Sequence, residues 1–176
     1  MENILDIIVL GNPILRKEAM PISKKELASS RFQGFIDSLI ATMRVKDGVG
    51  LAANQVACLK QIFVIEMSVD NERYEDREKF DLMILINPII TPLSKKKSFD
   101  HEGCLSLPGL RGLVPRYEKI SIQSLDRTGK PQNFIAEGFK ARVIQHENDH
   151  LKGKVFIDRM DDFESLGYIS ELSKEM

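Results

Sequence analysis

The stretch Gln145-His146-Glu147-Asn148-Asp149-His150-Leu151 constrains this chain more than any other. On an α-helix, residues four apart share a face one turn apart, so His146 and His150 can reach one metal ion. Glu147 is turned by about 100° from His146 and can stand beside that ion without binding it. A carboxylate so placed can take a proton from water that the metal activates. Phe139, Val143, His146 and His150 follow at spacings of four, three and four, so the histidine face continues an apolar face and is expected to point into the core. Gly153 stands where a helix stop belongs. The bland alternative is a solvated helix with two incidental histidines. An inward face speaks against it, because it would bury both imidazoles unpaired.

A length of 176 residues suits one catalytic domain, residues 1–176, with a core of its own. The net charge of −1 offers no basic footprint, so no DNA partner is expected. No apolar run approaches the ~20 residues that cross a bilayer. The start, Met1-Glu2-Asn3-Ile4-Leu5-Asp6, lacks the positive charge that opens a secretory signal. A cytoplasmic, monomeric protein without membrane contact is therefore expected. In a reducing cytosol Cys58 and Cys104 are not expected to pair. Two thiols cannot build a four-thiolate zinc site, but one of them can complete a site begun by the two histidines.

Residues 8–22, broken by Gly11-Asn12-Pro13 and ended by Pro21, read as an extended arm with a short helix or turn. Ser30-Arg31-Phe32-Gln33 resembles a capping box, and Phe32, Phe35, Ile36, Leu39, Ile40 and Met43 continue at helical spacing. Two glycines and two alanines leave little bulk in Gly48-Val49-Gly50-Leu51-Ala52-Ala53-Asn54-Gln55, so a backbone there can approach a ligand, or simply turn after the helix. Ile62–Ile65 and Leu82–Ile86 are expected strands, the second ended by Asn87-Pro88. Asp70–Asp81 reads as a solvated loop and Lys95-Lys96-Lys97 as an exposed turn or edge. Pro108-Gly109 marks a turn after the cysteine stretch His101–Leu107. Alternation on either side of Asp126-Arg127-Thr128-Gly129-Lys130 predicts a hairpin. Phe156, Met160 and Phe163 are expected to face the core, and the acidic tail from Glu164 to form a last helix. The fold class expected is α+β: mixed or antiparallel sheets packed around a central metal-binding helix, with an N-terminal amphipathic helix and a C-terminal helix.

Three stretches stand together in order: Gly48–Gln55, Glu102-Gly103-Cys104-Leu105-Ser106, and Gln145–Leu151. With this spacing they resemble the three motifs of peptide deformylases, and the resemblance spans essentially the whole chain. It implies a hydrolase that removes the N-formyl group from the N-terminal methionine of new polypeptides and releases formate. Cys104, His146 and His150 would hold a divalent metal, Fe²⁺ in cells, with Zn²⁺, Ni²⁺ or Co²⁺ able to stand in. Glu147 would carry protons, while Gln55 and the backbone N–H of Leu105 would hold the developing oxyanion. The peptide would lie as an added strand against Val49, Gly50 and Gly103, its methionine in a pocket walled by Phe139 and Val143. Arg142 departs from the apolar residue of some members and bears on the pocket rim. Glu102 is a candidate to orient a ligand or Arg111, while Cys58 reads as a structural thiol and His101 as exposed and inert. Nascent chains at the ribosome are implied partners. Yet Asp161, Asp162, Glu164, Glu171 and Glu175 against Lys174 give the tail no electrostatic pull toward ribosomal RNA.

Three rival readings use the same residues. A zinc peptidase would take its third ligand from Asp161, Asp162 or Glu164. A copper electron-transfer site would use the two histidines and a cysteine, would not need Glu147, and would want a weak axial methionine. A protein that only binds peptides would not need the full ligand set.

Overall fold

The computed structural model describes residues 3–67 and 77–172. After the N-terminal arm come a 3₁₀ turn, Pro13–Arg16, a short helix α1, Lys24–Leu27, and the amphipathic helix α2, Ser30–Val45. Among the described residues eight strands follow: β1 (Gly50–Ala52), β2 (Ile62–Met67), β3 (Phe80–Pro92), β4 (Lys97–Cys104), β5 (Leu107–Tyr117), β6 (Lys119–Leu125), β7 (Pro131–Glu137) and β8 (Gly167–Tyr168). The central helix α3 spans Gly138–Leu151, and α4 is one turn, Ile169–Leu172. The strands form two antiparallel sheets, β1-β2-β3-β6-β7 and β4-β5-β8. The fold is α+β, as expected.

Strand β2 shows why its sequence lacks alternation. Ile62 and Val64 pack with Ile36, Leu39 and Met43 of α2, whereas Phe63 and Ile65 pack with Ala141, Val143 and Ile144 of α3. Both faces are covered by a helix, so every position from Ile62 to Ile65 is apolar. Helix α3 goes further than its apolar stripe implied: every residue from Ala141 to Leu151 is buried, on all sides. Its polar side chains must therefore find partners within the protein. Gln145 does so with the end of β5, accepting from the Tyr117 N–H at 3.1 Å and donating to the Tyr117 carbonyl at 2.9 Å.

Several local expectations are corrected. Helix α2 is capped by Ser29, whose hydroxyl accepts from the Phe32 N–H, not by Ser30. Asn87-Pro88 does not end its strand. Asn87 adopts φ +49° within a bulge, and its side-chain amide pairs with both backbone groups of Ile22 while β3 runs on to Pro92. The turn near the cysteine falls at Leu105-Ser106, and Pro108-Gly109 lies inside β5. Phe163 is 64% exposed instead of core-facing, although Phe156 is buried. The last helix is shorter than expected, and residues 173–176, like residues 70–76 of the expected loop, lie outside the described set. The hairpin around Asp126 is as predicted: its carboxylate accepts from the N–H groups of Thr128 and Lys130 and fixes the turn.

Candidate metal centre

One donor atom each from Cys104, His146 and His150 lies within 4.8 Å of the other two. Cys104 ends β4, while the histidines occupy successive turns of α3, so folding brings the thiol 42 residues back to the helix. Cys104 Sγ and His150 Nε2 are 3.2 Å apart. A tetrahedral site with bonds of roughly 2.0–2.3 Å needs its donors about 3.5 Å apart, so this trio fits a divalent cation with little adjustment. His146 Nδ1 lies 2.8 Å from Glu102 Oε2. A carboxylate only accepts, so that nitrogen carries the hydrogen and the Nε2 lone pair faces the trio.

Glu102 is the keystone of the support. Its Oε1 accepts from Arg116 Nε at 2.9 Å and Arg142 Nη1 at 2.8 Å, while Oε2 accepts from Arg116 Nη2 at 3.0 Å and from His146. Arg116 reaches on to Asp149 of α3, which Arg159 also holds. The sequence reading missed Arg116, Asp149 and Gln145. Asp149 inside the histidine motif was the available signal, because a carboxylate on a buried helix needs a cation. Arg142 borders the cavity, yet its guanidinium is engaged within the protein. It is buried, donates to the carbonyls of Val114 and Ser98, and ties α3 to both long strands of the second sheet. Glu102 thus orients a ligand as expected.

The electrostatics follow from burial and these partners. Burial alone would lift the Glu102 carboxyl, but Arg116 and His146 outweigh it and hold it far below the usual range. Burial would likewise lower His146; Cys104 and Glu102 overcome that and raise it. At His150 burial, with the charge on His146, outweighs Asp149 and Glu102 and depresses it well below its ordinary value. Burial pushes the Glu147 carboxyl up to about 7. Its Oε2 is buried, without a hydrogen-bond partner among the described residues. A buried carboxylate oxygen left bare beside a thiolate and two imidazoles is the donor chemistry of a hydrolytic metal site, not of a structural one.

The other candidate residues gather round a cavity of about 330 Å³. Gln55, Leu105 and Glu147 line it, as do Val49, Gly50, Gly103, Phe139 and Val143. Gln55 is locked in place: its Oε1 accepts from the Ala52 N–H at 2.9 Å, leaving Nε2 to face Cys104 Sγ at 3.4 Å and Ser106 Oγ at 3.2 Å. The Arg77 guanidinium lies 5.4 Å from the Phe139 ring centre and pairs with Asp100, so it covers that wall from outside. Two glycines of the cavity wall stand close to charged side chains. A Cβ on Gly50 would meet the Glu147 carboxylate, and one on Gly103 would meet the Arg111 guanidinium. His101 is exposed at the cavity mouth; Cys58, whose thiol burial raises, packs with the α2 core. Asp161, Asp162 and Glu164 are exposed, and the trio is completed by Cys104 instead.

Comparison with known proteins agrees with this geometry. The family described as Polypeptide deformylase matches residues 4–165. "Peptide deformylase 2" of Pseudomonas putida is 44% identical over 96% of this chain and 94% of its own length. "Peptide deformylase" of Leptospira biflexa is 41% identical over 94% of this chain and 93% of its own. The structure of a class I type b peptide deformylase from Acinetobacter baumannii with Met-Ala-Ser bound superposes with a TM-score of 0.87. It is 36% identical and covers 91% of this chain and 100% of that one. On its motifs, its fold and these relatives, the chain belongs to the polypeptide deformylase family.

Proposed function

We propose that this chain is a metal-dependent deformylase whose working parts are the residues gathered at the cavity. It removes the N-formyl group from the N-terminal methionine of newly made polypeptides. The carrying observation is the bare, buried Oε2 of Glu147 beside the Cys104–His146–His150 trio. These three residues would hold the metal. When bound, a divalent cation supplies Lewis acidity: it lowers the pKa of water to about 7 and offsets negative charge on the formyl oxygen. Glu147 accepts a proton from the attacking water, then delivers a proton to the departing amine. Gln55 Nε2 and the Leu105 N–H donate to the oxyanion, each donor being worth about 3 kcal/mol. The C–N bond breaks, leaving formate and a free amine.

The substrate would bind as a strand. β1 and β4 are each an edge of their sheet, and they border the cavity through Gly50, with Val49 just before it, and Gly103. An extended peptide between them can pair with both edges. The Val49 carbonyl already accepts from the Glu66 N–H, which leaves its N–H and second lone pair for substrate. The methionine side chain enters between Phe139 and Val143, where an unbranched thioether adapts to the wall. Both sheets and α3 contribute to one site, which supports reading residues 1–176 as one catalytic domain. Thiolate and imidazole donors suit Fe²⁺, our reading for the cell, and equally Zn²⁺, Ni²⁺ and Co²⁺. We read the protein as a cytoplasmic monomer that meets nascent chains without an electrostatic tether. The test supplies formyl-Met-Ala to anaerobically prepared protein and measures formate. No formate from metal-loaded protein would overturn the proposal.

A further inference from the structure

Gln55 lies in a 3₁₀ turn after β1, Ala53–Val56, and Leu105 in the turn between β4 and β5, and their relative placement decides whether both reach one oxygen. Two side-chain contacts of Gln55 Nε2 bear on it, one to Cys104 Sγ at 3.4 Å and one to Ser106 Oγ at 3.2 Å. Further contacts come from the N-terminal arm. The Ile8 N–H donates to the Gln55 carbonyl at 2.8 Å, and two residues later the Leu10 N–H donates to the Ser106 carbonyl at 2.8 Å. A third bond, from the Leu5 N–H to Thr42 Oγ1 at 2.9 Å, moors the arm to α2. Beyond Leu10, the Asn12 N–H closes a turn on the Val9 carbonyl, and Leu15 anchors the chain in the core.

We infer that residues 8–10 act as a molecular ruler, holding the Gln55 turn and the Leu105-Ser106 turn at the separation the two oxyanion donors need. The reasoning rests on the proposed deformylase function. Two donors two residues apart on one chain cannot lie more than about 7 Å from one another, so they cap the distance between the two carbonyls they hold. The arm adds little core at this point: Val9 is 50% exposed and Leu10 40%. Its hold on the two turns therefore runs through backbone donors more than through buried side chains. Ile8 and Leu10 are positioning residues, since neither is among the residues bordering the cavity. Loosening them should let Gln55 and Leu105 drift from the oxygen as it becomes charged, while the ground-state peptide, held by strand edges, barely notices. That is the signature of a lost interaction specific to the transition state.

The test compares Ile8→Pro and Leu10→Pro, which delete one donor each, with Ile8→Ala and Leu10→Ala, which keep the N–H. All are loaded with Co²⁺ and assayed on formyl-Met-Ala, and the cobalt–thiolate absorption of Cys104 is recorded. The proline variants should lose about tenfold or more in kcat with KM within about twofold, and their thiolate band should be unchanged. The alanine variants should turn over like the parent. Parental kcat in both proline variants would overturn the inference, as would alanine variants as slow as the prolines, or an altered thiolate band. Should the prolines fail to fold, amide exchange in the parent decides: Ile8 and Leu10 must be protected, and free exchange at both overturns the inference. Absence of formate release from the parent would instead refute the deformylase reading itself.

Discussion

Gly50→Ala offers the sharpest test of the proton carrier, because it touches Glu147 from the far side of the cavity without altering any reacting group. The new Cβ would meet Glu147 Oε1 first, then Cδ at 2.7 Å and Cγ at 2.8 Å, whereas ordinary contact begins at 3.4 Å. The carboxylate must retreat by roughly 0.7 Å at Cδ, the gap between 2.7 and 3.4 Å, and by more at Oε1. Its backbone will not follow, since Gln145 is bonded to Tyr117, Asp149 to Arg116, and the His150 carbonyl to the Asn54 amide. A displacement near 1 Å can cost on the order of 10²-fold, so kcat should fall roughly 30- to 100-fold, about 2–2.7 kcal/mol. KM and metal content should stay near parental values. Replacing glycine in a strand favours the folded chain by up to about 1 kcal/mol through the unfolded state, so the melting temperature should hardly fall. Formate release under saturating formyl-Met-Ala, with metal measured on the same samples, gives the answer. Gly50→Ala combined with Glu147→Gln should be no slower than Glu147→Gln alone, since both remove one function. Turnover of Gly50→Ala within about threefold of the parent would refute the placement of Glu147 as the carrier, because that shift exceeds what proton transfer tolerates.

Other outcomes follow from the same geometry. Glu147→Gln should retain the metal and lose about 10²–10⁴-fold in kcat, read by formate release beside metal analysis. Cys104→Ala should bind metal weakly and lose activity. In the parent, a chelator should abolish turnover and lower the melting temperature, and added Ni²⁺ or Co²⁺ should reverse both. Glu102→Gln strips the charge that faces Arg116 and Arg142, and urea unfolding should show a loss of about 3 kcal/mol. The Glu102 and Asp149 carboxyls are held below their usual range in the folded protein. Their contribution is therefore complete above the unfolded pKa, near 4, and drains away as the pH drops toward the folded values. Thermal melts should fall below about pH 4, less steeply in Glu102→Gln than in the parent.

The chemistry was written locally and could be read that way. The spacing of His146 and His150 fixes a shared helix face, and Glu147 between them admits few other uses. The hairpin at Asp126 was equally legible, because its turn is built by a side chain two to four residues from its partners. What escaped depended on partners distant in sequence. Asn87-Pro88 looks like a strand end until Ile22, 65 residues earlier, is found bonded to the Asn87 amide inside a bulge. Arg142 looks like an intrusion into an apolar wall until Glu102, Ser98 and Val114 surround it. Phe163 was assigned to the core on hydrophobicity alone, and a single exposed aromatic carries no such information. The facing of β1 and β4 across the cavity belongs to the tertiary arrangement and to no stretch of sequence.

Those two borders have a consequence for what the protein can accept. On the binding mode proposed above, a groove flanked by two sheet edges would grip the repeating amide skeleton that every polypeptide shares. Discrimination would then be concentrated at one end, at the first residue and its acyl cap. One catalyst of this build would serve a whole proteome, indifferent to what each message encodes further along.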